Sequence, residues 1–314
     1  MKQLPFLNDA ADFPGADDSS VSAAIRAATP AVVDPRRPAI IVPVQVTSPE
    51  EIARQCSAIA ETGVVDVIEW RIDPVIASIA DEESGGSDAA ESAEAVLGLA
   101  VHVTGAGLPV LITLRTGFEG GAADVSERDY TAILTAIITG LSGPPAPATT
   151  VTPTATARSA TTATATTATP ATTATTWALD VEIERSQAAD LIDTAHNHGM
   201  SVVASHHNFA GTDSTESMVA TFATMFDSGA DVAKIAMMPQ THADVADLLR
   251  ATAQADETAG IPVLGISMGR LGRTSRVMGG DFGSCASFAQ LAQSSAPGQI
   301  AVADLAGIFD RLYG

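Results

Sequence analysis

The sequence predicts an α/β protein whose parallel sheet closes into a (β/α)8 TIM barrel, and three observations carry that prediction. Short apolar runs of strand length alternate with stretches of helical periodicity from about Pro38 to the C-terminus. Eight such runs can be counted, the number that closes a barrel instead of leaving an open sheet. No Gly-x-Gly-x-x-Gly turn follows the first run, where an open dinucleotide-binding sheet would carry one.

In chain order the strand runs are Ala39 to Val46, Val64 to Ile72, Pro109 to Arg115, Trp177 to Ile183, Ser201 to Phe209, Val232 to Met238 and Pro262 to Met268. A weaker eighth lies at Ala286 to Leu291, before a final helical stretch from Ala301 to Tyr313. Helices fit between them: Pro49 to Glu61 has proline early and Gly63 just past its end, and Gln187 to His198 stops before Gly199. Residues 1–37 are rich in Asp, Ala, Ser and Pro without sustained periodicity and read as a disordered leader, so the catalytic domain is expected over 38–314. Asp81 to Glu94 reads as an acidic surface connection. Residues 142–176 form a Thr/Ala-rich low-complexity insertion without the large apolar side chains a core requires. Because it joins a helix to a strand, a barrel would project it from the face opposite the strands' C-terminal ends.

Composition narrows the partners. A chain of 314 residues with 46% hydrophobic side chains can bury a sizeable core, and only 4% aromatics make that core aliphatic. A net charge of -21 opposes binding to nucleic acid or an anionic membrane, so neither is expected as a partner, and an anionic ligand would need a local arginine cluster. Cys56 and Cys285 are too few for a disulfide framework or a zinc cluster and suit a reducing compartment. With no run of transmembrane length and no basic-then-apolar N-terminus, a cytoplasmic location is expected.

The chemistry centres on Lys234. Only two of the 16 basic side chains are lysines, Lys2 and Lys234, and the second sits inside the apolar run Val232 to Met238. Arginine stays protonated at any working pH, whereas a desolvated lysine can present a neutral amine to a carbonyl. A Schiff-base lysine and a structural lysine paired with a carboxylate both satisfy this pattern. Other polar groups end or interrupt the same runs: Glu69 and Arg71, which strand period places on one face, then Arg115, Asp180 with Glu182, and His206 with His207. Asp180 and Glu182 read as a core ion pair. Of the two histidines only one can face inward; His207, one strand before the lysine, is the candidate proton shuttle. Glu119 follows the third run in a glycine-bearing loop and could orient that imidazole; a solvated turn residue is the plain alternative. In a barrel these strand ends converge on one pocket.

These residues lie in motifs that resemble the type I 3-dehydroquinate dehydratases, Schiff-base lyases of the shikimate pathway. The matching pieces are Glu69-Trp70-Arg71-Ile72-Asp73, Leu114-Arg115-Thr116 with Glu119-Gly120-Gly121, Ser205-His206-His207-Asn208-Phe209, and Lys234-Ile235-Ala236 with Met238-Pro239. Ser267-Met268-Gly269 through Ser275-Arg276 and Ser295-Ala296-Pro297-Gly298-Gln299-Ile300 complete the series in the family's order. The resemblance implies a class I aldolase-like barrel, usually a homodimer, that dehydrates the small molecule 3-dehydroquinate to 3-dehydroshikimate with neither cofactor nor metal. It implies that Lys234 forms the imine, His207 acts as general base and then acid, and Glu119 fixes its tautomer. It further implies that Arg276 pairs with the substrate carboxylate, that Glu69, Arg71 and Arg115 bind ring hydroxyls and neighbouring polar groups, and that Ser295 and Gln299 belong to a closing loop. Two departures stand out: Asn208 where many members have aspartate, and Pro43 where some have a ligand-contacting serine. Two other functions fit parts of the pattern. A Schiff-base aldolase of phosphorylated sugars would use Ser267 to Arg276 as its phosphate site, and a catalytically idle barrel would serve as an interaction module.

Overall fold

A computed structural model of the chain describes residues 1–7, 37–82, 88–142, 175–291 and 296–314. The eight predicted strands are present, as β1 Ala39–Val44, β2 Val67–Arg71, β3 Val110–Thr113, β4 Trp177–Glu182, β5 Ser201–Asn208, β6 Val232–Met237, β7 Val263–Ser267 and β8 Ala286–Gln290. All neighbours pair in parallel in the order β7-β6-β5-β4-β3-β2-β1-β8. The ring is completed by a parallel bridge between Val263 and Ser284, where the Cys285 N–H donates to the Val263 carbonyl at 2.8 Å. A two-residue strand, β9 (Ile300–Ala301), pairs with the end of β8.

The helices are α1 Pro49–Glu61, α2 Asp73–Glu82, α3 Ala89–Thr104, α4 Glu127–Ser142, α5 Ala188–Asn197, α6 Thr215–Asp227, α7 His242–Thr258, α8 Arg273–Met278 and α9 Val302–Tyr313. α1 matches the sequence reading, with the Ser48 hydroxyl accepting from the Glu51 N–H at 3.3 Å and Pro49 at the first position. Alternation along each strand sorts the core into two layers. In β1, Ile40, Val42 and Val44 face α1 and its Ile52, Cys56 and Ile59, whereas Ala39 and Ile41 join Val67, Leu111, Val203 and Leu264 inside the barrel. Replacing one of these fully buried aliphatics by alanine would cost about 2–5 kcal/mol.

Two expectations need correction. The connection expected over Asp81 to Glu94 is helical from Ala89 onward, because Asp88 caps α3 by accepting from the Ala90 N–H at 3.4 Å, and Ser92 and Ala93 are buried. β2 is therefore followed by two helices. The leader expected to be disordered is packed over its first seven residues: Leu4 and Phe6 are buried in the interior cluster with the strand-initial residues Ala39, Val67 and Val232. Their apolar side chains cover the open base of the barrel, and the Lys2 ammonium donates to the Asp256 carbonyl at 2.6 Å and to its carboxylate at 3.1 Å. Residues 8–36, and residues 143–174 of the Thr/Ala insertion between α4 and β4, lie outside the described residues. Among the described residues no helix is long and apolar enough to cross a membrane.

Candidate active site

The C-terminal ends of the strands converge on a cleft lined by residues of β2, β5, β6, β7, β8 and the loop after β3. Lys234 projects into it from β6 and is only 3% exposed. Its Nζ lies 3.4 Å from Asp180 Oδ2, 3.8 Å from Glu69 Oε1 and 4.8 Å from the centre of the Phe288 ring. The Thr113 hydroxyl donates to the same Glu69 oxygen at 3.2 Å. The lysine is thus both ion-paired and part of the cavity wall.

Behind the lysine, Arg115 is the hub of a buried network. It contacts Glu119 Oε2 and Asp180 Oδ1, each at 2.6 Å, and Glu182 Oε1 at 3.2 Å. Burial alone would lower its pKa, but the three carboxylates outweigh that and hold it well above the ordinary arginine value. Burial likewise pushes Asp180 up, and Arg115, Lys234 and the Ser205 hydroxyl together bring it below the usual carboxylate range. Glu182 is fixed by the Thr116 N–H at 2.8 Å and by Arg185 at 2.8 Å, whose guanidinium lies 4.9 Å above the Tyr130 ring.

Glu119 reaches this network because the loop after β3 folds back tightly. A Cβ on Gly121 would lie 1.9 Å from the Arg115 carbonyl oxygen, so only glycine permits the Gly121 N–H to donate to Thr116 O at 2.8 Å. The His207 ring, on β5, meets Glu119 Oε2 through Nδ1 at 2.8 Å. That oxygen already accepts from Arg115, which favours the tautomer in which the imidazole donates from Nδ1 and Nε2 is left unprotonated. Burial, and then the charges of Arg115, Lys234 and Arg71, hold His207 well below the ordinary 6.5. Burial pushes Glu119 up to about 8, against the pull of Arg115 and with the help of Glu182 and Asp180.

The opposite wall is different. Arg276, on α8, is 2% exposed, and among the described residues its terminal nitrogens reach only carbonyls, Phe288 O at 3.4 Å and Pro297 O at 3.2 Å. Its Nε has no hydrogen-bond partner and no carboxylate pairs with it among the described residues. Burial pushes its pKa down to about 10, so it remains charged at neutral pH. A buried, under-satisfied guanidinium facing a cleft is a receptor for an anion.

Comparison with known proteins addresses this constellation directly. The family model described as type I 3-dehydroquinase matches residues 40–144 and 158–314, leaving out only a piece of the Thr/Ala insertion within that span. The chain belongs to the type I 3-dehydroquinase family.

Among relatives, the 3-dehydroquinate dehydratase of Lactiplantibacillus plantarum is 33% identical over 86% of this chain and 90% of that protein. The Klebsiella pneumoniae protein of the same name is 32% identical over 87% and 92% respectively. The crystal structure of the Geobacillus kaustophilus 3-dehydroquinate dehydratase superimposes with a TM-score of 0.69 at 27% identity, covering 88% of this chain and 91% of that one. As a type I 3-dehydroquinase the chain is a lyase, a 3-dehydroquinate dehydratase of the shikimate pathway on a (β/α)8 barrel.

In this 3-dehydroquinase the cleft gathers Glu69, Arg71, Arg115, Glu119, His207, Lys234, Arg276 and Gln299 from the sequence-predicted set. Ser295 lies outside the described residues. Arg71 is held by Asp73 through two contacts at 2.7 and 2.8 Å. Asp180, read from sequence as a structural ion pair, is also the carboxylate nearest the amine. Ile266, Met268, Phe209 and Phe288 supply an apolar lining that sequence reasoning passed over, because such side chains at strand ends look like ordinary core. Asn208 organises the loop after β5: its amide donates to Asp213 at 2.9 Å and its oxygen accepts from the Ala210 N–H at 2.9 Å.

Proposed function

We propose that Lys234 condenses with the C3 ketone of 3-dehydroquinate, releasing one water and leaving a protonated imine. His207 Nε2 then removes the C2 proton, and the electron pair flows into the imine, a better sink than a ketone. The resulting imidazolium protonates the C1 hydroxyl as it departs as the second water, on the face from which the proton was taken, and hydrolysis of the imine consumes one water and releases 3-dehydroshikimate. The observation that carries this reading is the placement of the amine and the Glu119-held imidazole in one cleft opposite an unpaired arginine.

Each neighbour has a physical task in this sequence. Asp180 and Glu69 stabilise the iminium charge where it develops. Glu119 keeps the Nδ1–H tautomer and fixes the orientation of the ring. Arg276 binds the substrate carboxylate in a chain whose net charge is -21. Arg115 lies in the wall, but its nitrogens are engaged by three carboxylates, so it acts on substrate chiefly by holding them. Arg71 and Glu69 bind the ring hydroxyls, and Gln299, in the wall of the same cleft, contributes to covering them. A relative from Clostridium difficile, 26% identical, has been described with covalent modified comenic acid, in keeping with a site that bonds covalently to a small organic acid. We place the enzyme in the cytoplasm as a homodimer.

Borohydride reduction in the presence of 3-dehydroquinate, followed by intact-mass measurement and peptide mapping, tests the reading. The expected result is an adduct on Lys234 that is absent in folded Lys234→Ala, together with enone absorbance growing in untreated wild-type samples. Turnover in Lys234→Ala equal to wild type would overturn it.

A further inference from the structure

His206 and His207 are adjacent on β5, so their rings leave opposite faces of the strand. Both nevertheless approach the same carboxylate, because Glu119 enters from the short turn Gly117–Glu119 that packs against the end of β5. Its Oε2 is filled by Arg115 and His207. Its Oε1 is buried without a hydrogen-bond partner among the described residues, and so is His206 Nδ1, 3.8 Å away.

Two other carboxylates border the His206 ring: Glu184 Oε1 at 3.4 Å from Nδ1 and Asp213 Oδ2 at 3.7 Å from Nε2. Both reach solvent, with side chains 49% and 30% exposed, whereas the Glu119 side chain is 0% exposed and has no water to turn to. An unfilled oxygen costs most where it is most deeply buried. We propose that His206 is a positioning residue: through Nδ1 it holds the far oxygen of Glu119 and so fixes the carboxyl group that orients His207. This rests on the reading of His207 as the base. The present separation of 3.8 Å is longer than a hydrogen bond, and catalytic contacts that are long without substrate tighten in the Michaelis complex.

The experiment compares His206→Asn, whose amide nitrogen replaces Nδ1, with His206→Phe, which fills the same space without a donor. Steady-state kinetics across pH are measured on both, and borohydride trapping at Lys234 reports an intact site. Positioning predicts that His206→Phe loses about 10-fold in kcat with KM little changed, while His206→Asn stays within about 3-fold of wild type. The acid limb of kcat/KM shifts in His206→Phe and stays at the wild-type position in His206→Asn. Equal losses in the two variants, or a functional Phe with a damaged Asn variant, would show packing and overturn the inference. His207→Ala separates the premises: full turnover there removes the base assignment and the inference with it, whereas a dead His207→Ala beside a wild-type His206→Phe removes the inference alone.

Discussion

The two walls of the cleft solve opposite problems. On the side built by β2 to β6, every charge is answered within the protein: Lys234 by Asp180 and Glu69, and Arg115 by Glu119, Asp180 and Glu182. On the side built by α8, β8 and the 296–299 segment, Arg276 meets, among the described residues, only carbonyl oxygens, and its Nε meets none of them. The first wall is organised before substrate arrives, which is what transition-state stabilisation requires. The second is completed by substrate, so it converts a carboxylate into orientation. One wall is therefore tied to folding and the other to binding.

The strongest way to break that contrast is Arg115→Met. It would leave three buried carboxylates around a methionine, and removing one partner of a buried ion pair costs about 3–5 kcal/mol. Urea denaturation should show this loss together with the loss of activity. Stability within about 1 kcal/mol of wild type would mean that water already screens the network.

Arg276→Gln should do the reverse. It removes a guanidinium the fold leaves under-satisfied, so the Tm is expected to stay within a few degrees of wild type, while KM for 3-dehydroquinate rises by about 100-fold as the carboxylate loses its fork of donors. Arg276→Lys, which keeps charge but not geometry, should recover only part of that loss. A Tm that falls as far as in Arg115→Met would erase the distinction between the walls.

The contrast itself was only half legible in the sequence. The strands were, because aliphatic runs of fixed length bounded by glycine and proline leave few alternatives, and Lys234 was, because an amine in such a run is conspicuous. Asp180 was read as structural, since a carboxylate in a strand looks the same whether its partner is an arginine behind it or an amine in the pocket. The pairing of Arg115 with residues 65 and 67 positions away depends on register between β3 and β4, which no local pattern encodes. Leu4 and Phe6 give no signal in the sequence because a few apolar residues in a short terminal segment carry no periodicity; their place is set by the open barrel base they cover.

The smallest effect separates the walls by pH. Glutamate ionises near 4.5 in an unfolded chain, whereas burial pushes Glu119 up to about 8. Between those values the folded state holds a proton that the unfolded state releases, so this contribution to stability is complete below 4.5 and is lost as pH rises toward 8. His207 acts in the other direction: its imidazole is held well below 6.5, so folding expels a proton and stability falls as pH drops below 6.5. Glu119→Gln removes the first term and keeps the second. Urea denaturation between about pH 6.5 and 8, above the ordinary titration of histidine, should show wild-type stability falling by at most about 1.4 kcal/mol per pH unit, with a flatter profile in Glu119→Gln. Arg276, charged throughout because its value is about 10, should add no slope in this range, so Arg276→Gln should run parallel to wild type. A wild-type profile that rises with pH would show that Glu119 is ionised in the folded protein well below 8, held as a carboxylate by Arg115 and His207.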